Sequence, residues 1–279
     1  VNPSEFCYDF DLLESKPEKS KKVLIVGGGV AGMTAAVTAH DRGHQVTLAD
    51  NRSQLGGVLF FTDTDYYKND LKRFKNVLIN RIQKRNITVL LNHQVTPEEI
   101  QKGDYDHIIL ALGASPVTPP IRGIRYAHQA LDFYRGIKPE GKNILMIGGG
   151  LVGCETALDM ARQGYHVNVI EMGEKVAPDS YPMHRIGLLH EMDQLIQYHC
   201  SLKCQEIKKN SVICENREHR LFELSGDSIF YALGMRANED VVRNLSAAST
   251  VPVSVIGDCR KAAKVYEAGR QGWEAAMKL

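Results

Sequence analysis

Short apolar runs alternate with Ala-rich segments of helical spacing in two separate parts of the chain. The first run is Lys22–Val26, and a glycine-rich turn and an Ala-rich segment that ends before Gly43 follow it. A second predicted strand, Gln45–Ala49, comes next. Apolar runs without alternation are typical of strands buried on both faces of a parallel sheet. The pattern therefore predicts a β-α-β unit over residues 22–49.

The same pattern returns 121 residues later, with strands predicted over Asn143–Ile147 and His166–Ile170 around a helix. The first glycine of the turn is residue 27 in the first copy and residue 148 in the second, and the last glycine is residue 32 and residue 153. The acid after the second strand is Asp50 in the first copy and Glu171 in the second. A constant offset across turn, helix and strand predicts one supersecondary unit used twice. Two copies are too few for a solenoid.

The rest of the chain extends this α/β pattern. Two further apolar runs end in Ala-Leu-Gly, and the Pro-rich segment 115–120 interrupts regular structure between the copies. We predict two Rossmann-type dinucleotide-binding domains, the second inserted in the first as in disulfide reductases. The first comprises residues 21–117 and 251–279, and the second comprises residues 118–250. The polar residues 1–20 are expected to form a linker arm.

Both turns have the G-x-G-x-x-G spacing of a dinucleotide-binding turn. In this motif the first glycine permits the tight turn, the second lets the backbone approach a pyrophosphate, and the third allows close helix–strand packing. The helix that follows directs its N-terminus and its dipole at the anion. The predicted glycines are Gly27, Gly29 and Gly32 in the first turn and Gly148, Gly150 and Gly153 in the second.

Three carboxylates follow predicted strands at places where such folds bind ligands. Asp50 and Glu171 are expected to accept hydrogen bonds from ribose hydroxyls. Gly257 and Asp258 follow the last strand and are expected at the ribityl and phosphate end of FAD. No Arg lies between Glu171 and Lys175, so the second site is expected to prefer NAD(H), with Lys175 leaving NADP open.

Composition excludes several function classes. Lys plus Arg (34) balance Asp plus Glu (33), so no basic field indicates nucleic acid or a membrane surface. The six cysteines contain no CxxC pair and are expected to be reduced thiols, although Cys200 and Cys204 have a spacing that can share a helix face. No pattern of Cys or His predicts a metal site. A cytoplasmic location is expected because no secretory signal is present.

Several sequence segments resemble those of a known protein family. GGGVAGM, GGGLVGCETA, ALGASPVTPPIRG, FYALGMRAN and VIGDCRKAAKVYEAGRQGWEAAM resemble the C-terminal half of flavin–iron–sulfur oxidoreductases related to old yellow enzyme. That family includes 2,4-dienoyl-CoA reductase, trimethylamine dehydrogenase and bile-acid-type NADH:flavin oxidoreductases. Members carry Val-Asn-Pro directly after the last cysteine ligand of their cluster, and this chain begins with that phrase. The resemblance implies a preceding barrel domain with FMN and an iron–sulfur cluster.

The resemblance assigns cofactor contacts by position. For FAD it adds Ala31, Asn51, Gly56, Gly57, Val58, Lys68, Val95, Ala111 and Gly113 to the glycines and acids above. For NAD it adds Leu151, Val152, Met172, Lys175 and Gly234. The chain departs from the family at Val58, where relatives usually have Gln, and at residues 63–67, where they have a Pro-containing loop. ADP in place of FAD, as in some relatives, stays open.

The resemblance implies that hydride passes from NADH to FAD, and that electrons continue to the cluster and FMN of the barrel domain and then to a small-molecule substrate. The cofactors carry this chemistry, so no catalytic side chain is expected. A homo-oligomer is possible. The rival interpretations are a structural ADP-binding module without redox activity and a free-standing ferredoxin reductase or NADH oxidase. The absence of CxxC argues against a thioredoxin reductase.

Overall fold

The computed structural model describes residues 17–64 and 68–279. In the first part of the chain the elements are β1 (Lys22–Val26), α1 (Val30–Asp41), β2 (Gln45–Ala49), α2 (Asn69–Gln83), β3 (Thr88–Leu90), α3 (Pro97–Lys102), β4 (His107–Leu110) and β5 (Ala114–Pro116). Next come β6 (Ala127–Gln129), α4 (Ala130–Tyr134), β7 (Asn143–Ile147), α5 (Leu151–Arg162), β8 (His166–Ile170), α6 (Pro182–Leu195) and β9 (Ile196–His199). The last elements are β10 (Lys203–Ile207), β11 (Ser211–Glu215), β12 (Leu221–Ser225), β13 (Ser228–Tyr231), β14 (Met235–Ala237), α7 (Glu239–Ala248), β15 (Val253–Val255) and α8 (Val265–Met277).

The first unit is built on a parallel sheet of five strands in the order β15-β4-β1-β2-β3. The central strand β1 is buried over its last four residues, which agrees with its unbroken apolar run. Helix α1 packs between this sheet and α8. The sheet places the turn after β1 and the acid after β2 at the same carboxyl edge, where open α/β sheets bind ligands.

The second unit repeats this arrangement. Its parallel sheet has the order β6-β13-β7-β8-β9. Strand β7, helix α5 and strand β8 each begin and end 121 residues after β1, α1 and β2 (β7 begins at 143 against 22). The unit also carries an antiparallel sheet, β10-β11-β12, which the sequence did not predict. The predicted fold class of two Rossmann-type units, one inserted in the other, is confirmed.

The structure corrects the predicted boundaries between the units. The first unit consists of the chain up to Ser115 together with Met235–Leu279, and the second is Pro116–Gly234. The chain therefore returns from the second unit to the first near residue 234 rather than near residue 250. The reason is α7, whose buried Leu245 packs in one cluster with Ile100 of α3 and with the core of the first sheet.

Two short segments connect the units along the chain. Strands β5 and β14 pair with each other in a two-stranded sheet. Within the first unit the Asn238 side chain accepts a hydrogen bond from the Ser115 hydroxyl (2.8 Å) and donates one to the Leu112 carbonyl oxygen (2.9 Å). The chain therefore leaves the first unit and returns to it through neighbouring strands.

The structure corrects the prediction for two cysteines, and some predicted segments lie outside the residues that it describes. Cys200 and Cys204 share no helix, because Cys200 follows β9 and Cys204 belongs to β10. The Val-Asn-Pro start and most of the predicted arm over residues 1–20 lie outside the described residues, as do three residues of the departing loop, 65–67. Among the described residues, no helix combines the length and apolarity needed to cross a membrane.

Candidate dinucleotide sites

The first glycine-rich turn connects β1 to α1 against the end of β4. Gly27 has a φ of 109°, and a Cβ there would overlap the carbonyl oxygen of Ala111. A Cβ on Gly32 would overlap the carbonyl oxygen of Gly27. These two positions therefore require glycine. At Gly29 the nearest atom to an added Cβ is the α-carbon of Gly57, at 3.9 Å, so the space in front of the turn is open.

The second turn has the same geometry between β7 and α5. Gly148 has a φ of 99°, and a Cβ there would overlap the carbonyl oxygen of Ala232. A Cβ on Gly153 would overlap the carbonyl oxygen of Gly148, whereas one on Gly150 would meet nothing within 4 Å. Each turn thus has two glycines fixed by backbone packing and one that faces open space.

The two acids hold the turns in position. Both carboxylate oxygens of Asp50 accept backbone hydrogen bonds, from Gly28 (2.6 Å) and from Arg52 (2.8 Å). Glu171 repeats the pattern with Gly149 and with the N–H two residues beyond the acid, both at 2.6 Å. A carboxylate oxygen has more than one lone pair, so each acid retains acceptor capacity for ribose hydroxyls.

The N-termini of α1 and α5 are suited to an anion. Neither helix has an acidic residue in its first turn, and neither has a side chain capping its N-terminus. The free N–H groups of a first helical turn and the helix dipole both favour negative charge. Together with the open space at Gly29 and Gly150, this geometry fits the pyrophosphate of a dinucleotide at each turn.

A second loop covers the first turn. The backbone N–H of Gly56 donates to the carbonyl oxygen of Gly28 (2.9 Å). A Cβ added to Gly57 would lie 2.9 Å from the α-carbon of Gly29, so the two backbones approach closely. The Gly-Gly pair expected from the resemblance therefore does lie against the phosphate turn.

A corresponding loop lies against the second turn. Ala177, which is 121 residues after Gly56, donates its N–H to the carbonyl oxygen of Gly149 (2.7 Å). The next residue is Pro178 in place of a glycine, and no atom comes within 4 Å of a Cβ added to Gly150. The two turns therefore share their geometry, and the Gly-Gly pair belongs to the first.

Lys75 is a residue that the sequence analysis missed. Its side chain is only 4% exposed, its Nζ lies 2.6 Å from Oδ1 of Asp63, and its stem lies where a Cβ on Gly56 would come within 2.8 Å. On the other side, the Arg52 guanidinium donates to the carbonyl oxygen of Gly57 (2.9 Å). The two cations hold residues 56–63 over the turn. A single buried Lys in a helix gives no sequence signal, because its partners lie in another element.

Gly257 and Asp258 follow β15, as predicted, and form a short 3-10 turn. Gly257 has a φ of 69°, and a Cβ there would lie 3.0 Å from the Cβ of Ala31 in α1. Asp258 is half-buried and accepts a hydrogen bond from the Ala263 N–H (3.1 Å). Burial raises the pKa of the Asp258 carboxyl. This places the Gly-Asp pair beside the helix that starts at the phosphate turn.

The remaining predicted residues differ in how close the structure places them to the turns. Ala111 directly follows β4, and its carbonyl oxygen lies against Gly27. Leu151 and Val152 are the first two residues of α5. Val95 is buried at 5% exposure, whereas Met172 is 68% exposed. The other predicted contacts lie on loops or at element ends: exposed Asn51, Val58 and Lys175, half-buried Lys68 directly before α2, and the positive-φ glycines Gly113 and Gly234.

The five cysteines of the described residues form no disulfide. They are Cys154, Cys200, Cys204, Cys214 and Cys259. Burial raises the pKa of Cys154 and of Cys204 to about 12, so both are thiols at neutral pH. In residues 17–64 and 68–279, no three His, Cys, Asp or Glu side chains are grouped so that they could hold a metal ion.

The sheets and turns together define a protein with two dinucleotide-binding Rossmann units. The chain belongs to the pyridine nucleotide-disulphide oxidoreductase family, whose model matches residues 21–272. Family membership makes it an oxidoreductase and a flavoprotein and implies FAD and a pyridine nucleotide as the two dinucleotides. No two cysteines have CxxC spacing, so no such pair carries the disulfide chemistry of the family name.

Known relatives are longer than this chain. A bilirubin reductase of Mediterraneibacter gnavus is 34% identical over 99% of this chain and 43% of its own length. An NADH oxidase of Thermoanaerobacter brockii is 32% identical over 93% of this chain and 41% of its own length. The structure of a 2-naphthoyl-CoA reductase matches with a TM-score of 0.90 at 26% identity, over 97% of this chain and 42% of that chain. The chain thus spans less than half the length of these relatives.

Proposed function

We propose that this chain is the FAD- and NADH-binding part of a larger reductase of the old-yellow-enzyme-related, flavin–iron–sulfur type. The observation that carries the proposal is the pair of equivalent phosphate turns. Each is held by a carboxylate that accepts two backbone hydrogen bonds, and each has open space in front of its middle glycine. At the first turn the backbone of Gly57 also approaches Gly29 closely.

In this proposal the residues of the chain bind the two cofactors and orient them toward each other. The bound cofactors supply the redox chemistry, in which the nicotinamide gives a hydride to the flavin. The N-terminus of α1 and the Gly29 backbone receive the FAD pyrophosphate, and Asp50 receives the adenosine ribose. Asp258, whose pKa is raised by burial, offers a carboxyl group to the ribityl end.

Glu171 supports NADH over NADPH at the second turn. Its carboxylate is held by two backbone N–H groups, so it cannot swing away from a ligand. A site built to bond a hydroxyl discriminates against a ligand that lacks it. A 2′-phosphate would also meet the negative charge of the carboxylate.

The parent protein is proposed to contain an N-terminal FMN and iron–sulfur barrel domain, to which this chain passes electrons and where a small molecule is reduced. The support is the length of the relatives, of which this chain covers 41–43%, and the names bilirubin reductase and NADH oxidase that two of them carry.

The decisive experiment measures flavin reduction by stopped flow in the FAD-loaded chain, with NADH and NADPH, for the wild type and Glu171→Gln. NADH is expected to react faster in the wild type by roughly ten- to a hundredfold, because the carboxylate repels the 2′-phosphate at a partly exposed place. The difference is expected to shrink in the variant. Equal rates in the wild type would contradict the NADH assignment. Heat release of ADP alone would favour the structural module.

A further inference from the structure

A groove of about 450 Å³ opens in the second unit beside the turn that carries Glu171. One wall is the end of β9 and the loop after it, and the other is the hairpin between β11 and β12. Its lining residues are His199, Cys200, Ser201, Leu202, Asn216, Arg217, Glu218 and Phe222. Ser201 donates its N–H to the carbonyl oxygen of Gly173 (2.8 Å), and Leu202 donates to that of Glu171 (3.0 Å). The groove therefore adjoins the acid of the second site.

The internal repeat identifies which end of the ligand this groove faces. In the first unit, Asn92 donates to the carbonyl oxygen of Arg52 (2.8 Å) and His93 to that of Asp50 (2.9 Å). These acceptors lie 121 residues before Gly173 and Glu171. Asn92 and Ser201 also share a left-handed φ, 53° and 56°. The family resemblance places the backbone around Val95, at the end of this loop, against the adenine of FAD, so the groove corresponds to the adenine end of the second site.

A guanidinium lies at the edge of this groove and is already paired. Nη2 of Arg217 lies 2.6 Å from Oε1 of Glu174, three residues beyond Glu171, and this hydrogen bond holds the pKa of the Glu174 carboxyl below its ordinary value. The hairpin is ordered locally, because the Asn216 side chain accepts hydrogen bonds from the backbone N–H groups of Glu218 (3.1 Å) and Arg220 (2.9 Å).

We infer that Glu174 and Arg217 together determine the choice between NADH and NADPH at this site. Arg217 lines the groove that adjoins Glu171, and Glu174 pairs with it there. An incoming 2′-phosphate therefore has to compete with Glu174 for this guanidinium and meets the negative charge of a further carboxylate. Both side chains are more than half exposed (59% and 74%), and exposed ion pairs are weak. Removing the Glu174 charge therefore frees Arg217 at little cost, and a guanidinium binds phosphate strongly through paired N–H donors.

This inference rests on the proposed binding of a pyridine nucleotide in the second unit, so its test measures binding directly. We suggest isothermal titration of ADP-ribose and of 2′-phospho-ADP-ribose into the FAD-saturated chain at low ionic strength, where charge effects are largest. The wild type is expected to prefer ADP-ribose. For Glu174→Gln the affinity for the phosphorylated ligand should rise roughly tenfold, because a charge-assisted bidentate contact replaces a repulsion. Its affinity for ADP-ribose should stay within about twofold.

Two variants serve as controls. Combining Glu174→Gln with Arg217→Met should remove the gain, since the guanidinium is its source. Glu223→Gln neutralises an exposed acid of the same antiparallel sheet that pairs with Lys208 (3.0 Å) and does not line the groove, and it should leave both affinities unchanged.

The outcomes separate the two proposals. If Glu174→Gln binds ADP-ribose but gains nothing for the phosphorylated ligand, the role of the ion pair is refuted while the site stands. The same holds if the gain survives Arg217→Met. If the wild type binds neither ligand, the assignment of the second unit as a nucleotide site fails, and this inference fails with it.

Discussion

Gly29 and Gly32 lie three residues apart in the same turn, yet substitution at the two positions should have opposite consequences. A Cβ on Gly29 meets only one atom within 4 Å and projects into the space proposed for the pyrophosphate. We expect Gly29→Val to fold normally and to lose FAD. Gly32→Val should instead lower the free energy of unfolding by roughly 3–5 kcal/mol, because its Cβ overlaps a backbone carbonyl that cannot move.

The measurement is flavin absorbance of each purified variant together with urea unfolding of its FAD-free form. Gly150→Val is the matched control, because it makes the same change at the second turn and should leave FAD bound. A folded Gly29→Val protein that keeps its flavin would show that the phosphate lies elsewhere.

At single positions, the sequence predicts roles that depend on neighbouring residues in the chain and misses roles that depend on contacts with distant residues. The phosphate turns were predictable because each glycine acts within six residues of the others. The acids were predictable in position, although not in their second role of holding the turn through Gly28 and Gly149. Lys75 and Arg217 had no sequence signal. Each is defined by a carboxylate in another element, 12 and 43 residues away.

The 3-10 segment Gly57–Asp63, with Gly56 before it, is the element that brings a second backbone close to the first phosphate turn. We predict that Lys75→Met loosens it, because Asp63 then loses its buried cation while the apolar stem is kept. The charge-assisted contact ends on a half-exposed carboxylate, so about 1 kcal/mol, or roughly fivefold weaker FAD binding, is expected.

Equilibrium dialysis of FAD against each variant measures this effect. Lys84→Met changes an exposed Lys at the end of the same helix and should leave the FAD affinity unchanged. Binding of ADP-ribose at the second turn should be unaffected in both variants. Unchanged FAD affinity in Lys75→Met would mean that the segment needs no anchoring by this ion pair.

Among the elements, the strands of the repeated unit were predicted to the residue. The predicted bounds of β1, β2, β7 and β8 agree with the structure, because each is a short segment with apolar residues that is bounded by a turn. The antiparallel sheet was missed, since its five-residue strands show neither a strict alternation of polar and apolar residues nor a continuous apolar run over their whole length. Helix α7 was assigned to the wrong unit because no periodicity reveals which sheet an amphipathic helix will cover.

For the molecule as a whole, two neutral histidines should make stability depend on pH. Burial lowers the pKa of His44, and the nearby Arg42 and Lys21 lower it further. Burial also lowers the pKa of His107, to which Lys21 and His44 add. The unfolded chain therefore binds more protons than the native state below about pH 6.5, so stability is full above that value and falls as the pH decreases.

Urea unfolding at pH 8, 6.5 and 5 tests this dependence. The free energy of unfolding should fall below pH 6.5 with a limiting slope of about 1.4 kcal/mol per pH unit for each histidine. His44→Gln combined with His107→Gln should flatten the curve in that range. His190→Gln changes an exposed histidine and should leave the curve as it is. A flat curve for the wild type would contradict the prediction.

The pairing of β5 with β14 has a consequence for how the chain can be divided. Because the outgoing and returning segments are neighbours, residues 116–234 can in principle be removed and Ser115 joined to Met235 by a few glycines without stretching the remaining chain. The shortened protein would be a single module with one nucleotide turn. If it folds and retains FAD, the first unit needs the inserted copy neither for its stability nor for its cofactor. Loss of folding would show that the first unit depends on the second.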